Sequence, residues 1–250
     1  MARDTSFALS FGQEAAAYDR GRPGYPDDAV DWIVSRAATD DDARPDVVDL
    51  GAGTGKFTAS LVDRAATVTA VEPDATMRER LAANLPGVLA LPGTAESIPA
   101  GDESADLVTV AQAWHWVDPD AASREVARIL RPGGVLALIW NIRDESADWV
   151  ARLTGIMGAS EAERFDSVNP PLGEPLTRDA YAEFHWSTSL DRDGLRAMVM
   201  SRSYVIALEK GARAALLERI DELLTTHPDL AGRSSFDLPY TTRVTIARHF

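Results

Sequence analysis

The sequence contains no cysteine and only two lysines, Lys56 and Lys210, in 250 residues. The first absence rules out disulfides and thiolate metal sites, and no metal is expected. The second leaves arginine to carry nearly all the positive charge, and 25 basic residues still face 39 acidic ones, a formal charge of -14. No cluster of basic residues interrupts that excess. The average surface therefore repels polyanions, and neither nucleic acid nor an anionic membrane is expected as a partner. Long apolar runs are missing as well: stretches such as VLALIW at 135–140 are far too short to span a bilayer. The N-terminus lacks the unbroken apolar stretch of a secretory signal, so the expectation is a cytoplasmic protein. There is no internal repeat and no low-complexity segment.

What is present is a pattern of short apolar runs separated by helical stretches, the pattern of a parallel sheet with crossover helices. The β-rich runs are DVVDL (46–50), TVTAVE (67–72), GVLALP (87–92), ADLVTVAQ (105–112) and GVLALIWN (134–141). Between them lie FTASLVDRA, a helix opening at Asp74 and closing before Pro86, and one opening at Asp118 or Asp120 and stopping at RPGG. An extra helix precedes the sheet, with Pro26 in its first turn and Val30, Ile33 and Val34 on one face. Beyond Asn141 the alternation changes. A helix (ESADWVARLTGIM) and a loop (NPPLGEPLT) lead to a strand at 182–190. Two helical stretches then precede a terminal alternating run at 240–249, suited to antiparallel pairing.

VVDLGAGTGKFT, residues 47–58, is the informative stretch. A phosphate-binding loop of the GxxxxGK[ST] kind fails twice, because Leu50 stands where its first glycine belongs and Phe57 where its hydroxyl belongs. A dinucleotide fingerprint beginning at Gly51 and Gly53 requires a small residue at 56, where Lys56 stands. What remains is GxGxG after a strand, with Asp49 before it and Glu72 at the end of the next strand. Glycines there let a ligand approach the backbone, and an acid some twenty residues on can accept both hydroxyls of a ribose.

Taken together, VVDLGAGTGKFT, VEPDATM, GTAESIP, ADLVTVAQAWHW and RILRPGGVLALIW resemble the class I S-adenosylmethionine-dependent methyltransferases, in that family's order and spacing. The segments FGQEAAAYDRGRPGYP, SRSY and LPYTTRV are similar to its type 11 and trans-aconitate methyltransferase-like subgroup. The resemblance implies an α/β, Rossmann-like fold: a mostly parallel seven-stranded sheet of order 3-2-1-4-5-7-6, strand 7 antiparallel, with helices on both faces. One domain is expected over 1–250, comprising an N-terminal helical cap (1–40), a cofactor-binding core (45–142), an insertion or lid (142–181) and a C-terminal part completing the sheet (182–250).

The resemblance also implies roles. S-adenosylmethionine would be the cofactor and S-adenosylhomocysteine its product. Gly51, Gly53 and Gly55 would line the methionine portion with Asp49 near its amino acid end, Glu72 beside Pro73 would take the ribose diol, and Ala95 and Glu96 would meet the adenine. Ala111 and Gln112 match cofactor-contacting positions. Tyr18 and Arg22 would fold over the cofactor, Arg22 against its carboxylate. His115 and Tyr18 are the candidates for direct catalytic roles. Trp114, Trp116, Trp149, Arg143, Arg202 and Tyr204 are the candidates for the substrate pocket, although tryptophans beside a strand serve equally well as core, and Asp118 suits a helix cap. A small-molecule acceptor, a carboxylate or another O or C nucleophile, and a monomer or homodimer are expected. The alternatives are a non-catalytic S-adenosylmethionine-binding regulatory protein and, against Lys56, a nicotinamide-dependent oxidoreductase.

Overall fold

The computed structural model describes residues 23–37, 43–158 and 165–249. Its strands are β1 (Asp46–Leu50), β2 (Thr67–Val71), β3 (Leu89–Leu91), β4 (Ala105–Ala111), β5 (Leu130–Arg143), β6 (Leu176–Leu190) and β7 (Phe236–His249). Its helices are α1 (Asp27–Arg36), α2 (Thr58–Leu61), α3 (Ala75–Asn84), α4 (Pro119–Ile129), α5 (Asp148–Met157), α6 (Arg192–Met200), α7 (Ser203–Ile206) and α8 (Lys210–Thr226), with a 3-10 turn at Trp114–Trp116. The strands form one sheet in the order β3-β2-β1-β4-β5-β7-β6. Neighbours are parallel except that β7 runs antiparallel to both β5 and β6. This is the class I methyltransferase topology that the resemblance implies.

Local chemistry explains the elements. Asp118 caps α4: its carboxylate accepts the N–H groups of Asp120 and Ala121, and Pro119 occupies the first turn. Ala122, Val126 and Ile129, spaced along one face of α4, are buried with Val108, Leu136, Leu138 and Trp140 of the sheet. Asp74 caps α3 through the Met77 N–H. On the opposite face, Val30 and Ile33 of α1 pack with Leu61, Ala137, Ile139 and Val244. The central strands are thus covered on both sides, which is why β4 and β5 read as continuous apolar runs.

A further core arises from an overhang. Pairing of β5 with β7 ends at Arg143 and Tyr240, whereas β6 and β7 continue together to Leu190 and Phe236. Phe236, Leu238 and Tyr240 on this projecting ribbon are covered by α5, α6 and α8 through Trp149, Leu153, Met198, Ile220 and Leu224.

Several elements differ from the sequence expectation; β7 begins at Phe236, four residues before Tyr240, and β3 shortens to Leu89–Leu91. RPGG does not precede β5 but lies inside it: Leu130 already pairs with Ala105, and the register then jumps to Leu107 and Val135, so Arg131–Gly134 form a bulge. Arg131 anchors that bulge by donating to Asp106 and Asp46 at 2.8 and 2.9 Å. The helix after the glycine loop stops at Leu61, and no side chain caps it. β6 begins at Leu176, six residues before Ala182, because β7 offers it partners as far as His249. Among the described residues no helix is long and apolar enough to cross a membrane.

Replacing Asp118 by alanine orphans two N–H groups of α4 and is expected to lower stability by about 1 kcal/mol. A shift of the urea midpoint with unchanged m-value would register it, and an unaltered midpoint would mean that the cap is not needed.

Candidate functional site

Between β1 and β4 the strand order reverses, and an open α/β sheet binds ligands in the crevice at the carboxyl ends of its strands there. A cavity lies at this place. Asp49, Gly51, Gly53, Ala111, Gln112 and Arg202 line it, all of them expected site residues. Pro23, Tyr25, Ala52, Thr54, Lys56, Phe57 and Asn141 complete the wall.

The glycine loop makes the floor. Gly51 has φ +64°, and a methyl group added there would come within 2.7 Å of the Ala113 Cβ, so this position admits only glycine. Gly53 has φ +59° and nothing within 4 Å of where a Cβ would stand, which leaves open space for a ligand against the backbone. Gly55 instead faces Leu81 of α3 and Leu85 just after it, a packing contact outside the cavity lining.

Two acids organise the loop. Asp49 is 1% exposed; its carboxylate accepts hydrogen bonds from the hydroxyls of Thr58 (2.6 Å) and Thr109 (2.8 Å). Burial pushes this carboxyl up to about 6; the two hydroxyls pull the other way, and the negative charge of Glu72 adds to the rise. Glu72 is also buried and shifted upward by desolvation. Its oxygens accept the N–H groups of Gly53 (2.8 Å) and Asp74 (2.9 Å), tying the end of β2 to the glycine loop and to the start of α3. Lone pairs remain on both oxygens for a ligand.

The other wall is polar and strained. Gln112 ends β4 at φ +59°, a left-handed conformation that a residue with a side chain adopts at a cost. Its N–H donates to the Ile139 carbonyl and its side-chain amide to that of Asn141. Asn141 donates in turn to the Gly24 carbonyl (2.8 Å) and accepts from Thr242 (2.6 Å), whose hydroxyl accepts the Trp186 indole N–H (2.8 Å). This relay holds the Pro23–Tyr25 segment at the cavity, with Tyr25 edge-on to Phe57. Arg202, between α6 and α7, lines the same space.

Comparison with known proteins agrees with this arrangement. A methyltransferase domain model matches residues 48–138. An uncharacterized methyltransferase of Mycobacterium tuberculosis is 48% identical over 248 residues, covering 98% of each chain. The chain belongs to this methyltransferase family. An uncharacterized methyltransferase of Schizosaccharomyces pombe is 35% identical over 240 residues, covering 93% of this chain and 94% of its own. Among solved structures, a type II methyltransferase candidate from Anaeromyxobacter dehalogenans superposes with a TM-score of 0.69 at 25% identity, covering 90% of this chain and 96% of that one.

Among the described residues, the remaining expected site residues of this methyltransferase lie outside the cavity lining. Glu72 and Pro73 sit behind Gly53 at the end of β2. Ala95 is buried in the core beside Ile98, and the Glu96 carboxylate accepts the Asp118 N–H, steadying the approach to α4. Trp114 is 1% exposed, with its indole donating to the Pro171 carbonyl. His115 is buried beside Trp116 and Phe165, at ring separations of 4.8 and 6.0 Å. Trp149 packs edge-on against Phe236 in the overhang core. Arg143 is buried and donates to the Thr154 hydroxyl, and the Tyr204 hydroxyl donates to the Gly158 carbonyl at 3.4 Å. Tyr18 and Arg22 fall outside the described residues. Sequence reasoning singled out the segment ahead of the sheet through Tyr18 and Arg22 but did not name Pro23, Tyr25, Lys56, Phe57 or Asn141 as cavity wall. The strand-ending asparagine was the available signal, but its partners Gly24 and Thr242 are 117 and 101 residues away.

Two predictions follow from the acids. A folded-state pKa raised above the unfolded value means that the native state binds the extra proton, so the contribution of Asp49 to stability is full below about pH 4 and is lost as pH rises to about 6. For a rise from 3.8 to about 6 the loss is on the order of 3 kcal/mol. Asp49→Asn should therefore flatten this slope in ligand-free protein and raise its stability at pH 8, whereas parallel curves for variant and parent would clear Asp49 as the source. Glu72→Ala removes the acceptor from two N–H groups and should cost ~2–3 kcal/mol in urea unfolding.

Proposed function

We propose that this methyltransferase uses S-adenosylmethionine to methylate a small molecule bound in the cavity. The observation that carries this reading is Asp49, a buried carboxylate at the floor of a glycine-lined cavity. A phosphate placed there would be repelled; a cationic group would be welcomed and would draw the carboxyl back toward its ionised form. The family's cofactor has that character, with an α-ammonium and a sulfonium and no phosphate, so the residues present fit it. When bound, it supplies an activated methyl group and leaves as S-adenosylhomocysteine.

The chain's own residues bind, orient and exclude water. Asp49 offers its charge to the amino acid end, Gly53 leaves the backbone open to close approach, and Glu72 has acceptor capacity for a ribose diol. Ala111 and Gln112 form the wall at the end of β4, and Asn141 holds Pro23–Tyr25 at the cavity lining. In-line attack on an activated methyl demands little acid–base chemistry, so positioning and desolvation can supply most of the rate. A small acceptor is favoured by the acidic charge balance, which opposes nucleic acid.

Calorimetry should give micromolar affinities for S-adenosylmethionine and S-adenosylhomocysteine and none for NAD or ATP. Gly53→Ala, which puts a methyl group into the ligand's space, should lose most of that affinity while costing the fold ~1–2 kcal/mol of backbone strain. Tight NAD binding would sink the assignment. With methyl-labelled cofactor and fractionated cell extract, label should enter the small-molecule fraction; label chiefly in RNA, DNA or protein refutes the acceptor class, and no label anywhere favours a binding protein without turnover.

A further inference from the structure

Arg202 lines the cavity, and among the described residues no carboxylate pairs with it. The residue is 7% exposed. Its guanidinium makes one side-chain hydrogen bond among the described residues, from Nη2 to the Met198 sulfur at 3.3 Å, and Nε is buried without a partner. A thioether is a weak acceptor and carries no charge. Acids outnumber bases 39 to 25 in this chain, and Arg64, Arg128, Arg131, Arg196, Arg243 and Arg248 each pair with a carboxylate. Against that background, a buried arginine left to a sulfur atom has its donors reserved for something that enters the cavity.

We infer that Arg202 is the carboxylate-binding residue of the cavity. The planar fork of a guanidinium matches a carboxylate in two parallel hydrogen bonds, and a singly charged anion tolerates the nearby Asp49 better than a phosphate would. The cavity is then polarised, with Asp49 for the positive end of its contents and Arg202 for the negative end. The inference rests on the reading of this cavity as the methyl-transfer site. Two molecules can bring the carboxylate: the cofactor, through its amino acid end, or the acceptor. Arg202 stands between α6 and α7, in the half of the chain that adds the overhang core, apart from the glycine loop.

The test uses Arg202→Gln and Arg202→Lys in the full chain. S-adenosylhomocysteine and 5′-methylthioadenosine, which lacks the amino acid end, are titrated by calorimetry. Mono-, di- and tricarboxylic acids of four to eight carbons are then scored by thermal shift on protein saturated with S-adenosylhomocysteine, with their primary amides as neutral controls. If the cofactor supplies the carboxylate, the Gln variant binds S-adenosylhomocysteine at least tenfold more weakly and methylthioadenosine as before. If the acceptor supplies it, both nucleosides bind as in the parent, acids but not amides stabilise the parent, and the variant loses that shift. The Lys variant, which keeps the charge without the fork, should fall between and serves if the Gln variant does not fold. Since the arginine has no carboxylate partner among the described residues and loses only a weak bond to the Met198 sulfur, the Gln variant is expected to melt no lower than the parent, an outcome opposite to that for a structural ion pair. No carboxylate-dependent difference between parent and variants in either arm overturns the inference. Failure of both nucleosides to bind the parent overturns the cofactor reading instead, and an acid-specific shift lost in the variant would still support the anion site.

Discussion

A carboxylate that the fold would be more stable without sits under the glycine loop. Asp49 is buried at the end of β1, held by Thr58 and Thr109 and pushed up to about 6 by loss of water. Much of the surrounding arrangement is shaped to carry it. Thr58 opens the short α2, Thr109 comes from β4 at the same level of the sheet as Asp49, and Glu72 restrains the loop from β2 through the Gly53 N–H. Two buried acids close enough for their charges to couple are an unfavourable arrangement for an empty protein. They become favourable once a ligand with positive charge occupies the cavity, so binding energy and folding energy are linked at this point.

The same logic sorts the aromatic residues. Trp114 lies at the end of β4, where ligands bind, yet its ring is in the core and its N–H is satisfied by Pro171. Trp149 and Tyr240 are likewise spent on the overhang core. The projecting β6–β7 ribbon would expose Phe236, Leu238 and Tyr240 if helices did not cover it, and Trp149 supplies part of that cover. Bulky apolar side chains near the site therefore build the platform, and the polar residues Gln112, Asn141 and Arg202 face the space above it.

Sequence alone made the N-terminal half of the sheet legible, because its signals are local. Apolar runs of five to seven residues, Asp74 and Asp118 as caps and the glycine spacing all act within a few residues of where they stand, and β1, β2 and β4 begin where those signals begin. Features set by distant partners were not legible. The bulge at Arg131–Gly134 depends on Asp46 and Asp106, the early start of β6 depends on the far end of β7, and Asn141 acquires its role from Gly24 and Thr242. Arg202 was legible as a candidate beside Arg143, but composition could not tell them apart. Folding does so: Arg143 is turned to Thr154 on α5, and Arg202 lines the cavity.

The relay through Asn141 joins two parts of the molecule that the sequence keeps far apart. Trp186 on β6 donates to Thr242 on β7, Thr242 to Asn141 on β5, and Asn141 to Gly24 ahead of α1. Each bond is 2.6–2.8 Å, and the Thr242 hydroxyl both accepts and donates, so its proton has one direction to point. A change in how β6 and β7 lie against β5 would be felt at Gly24, because a buried polar chain tolerates displacement poorly. Asn141 also receives the Gln112 amide on its carbonyl, and Gln112 is the residue held at positive φ. The strained wall of the cavity, the segment drawn across it and the antiparallel pair that completes the sheet thus converge on one asparagine. Whatever enters beside Asp49 and Arg202 meets a wall braced from the far edge of the sheet.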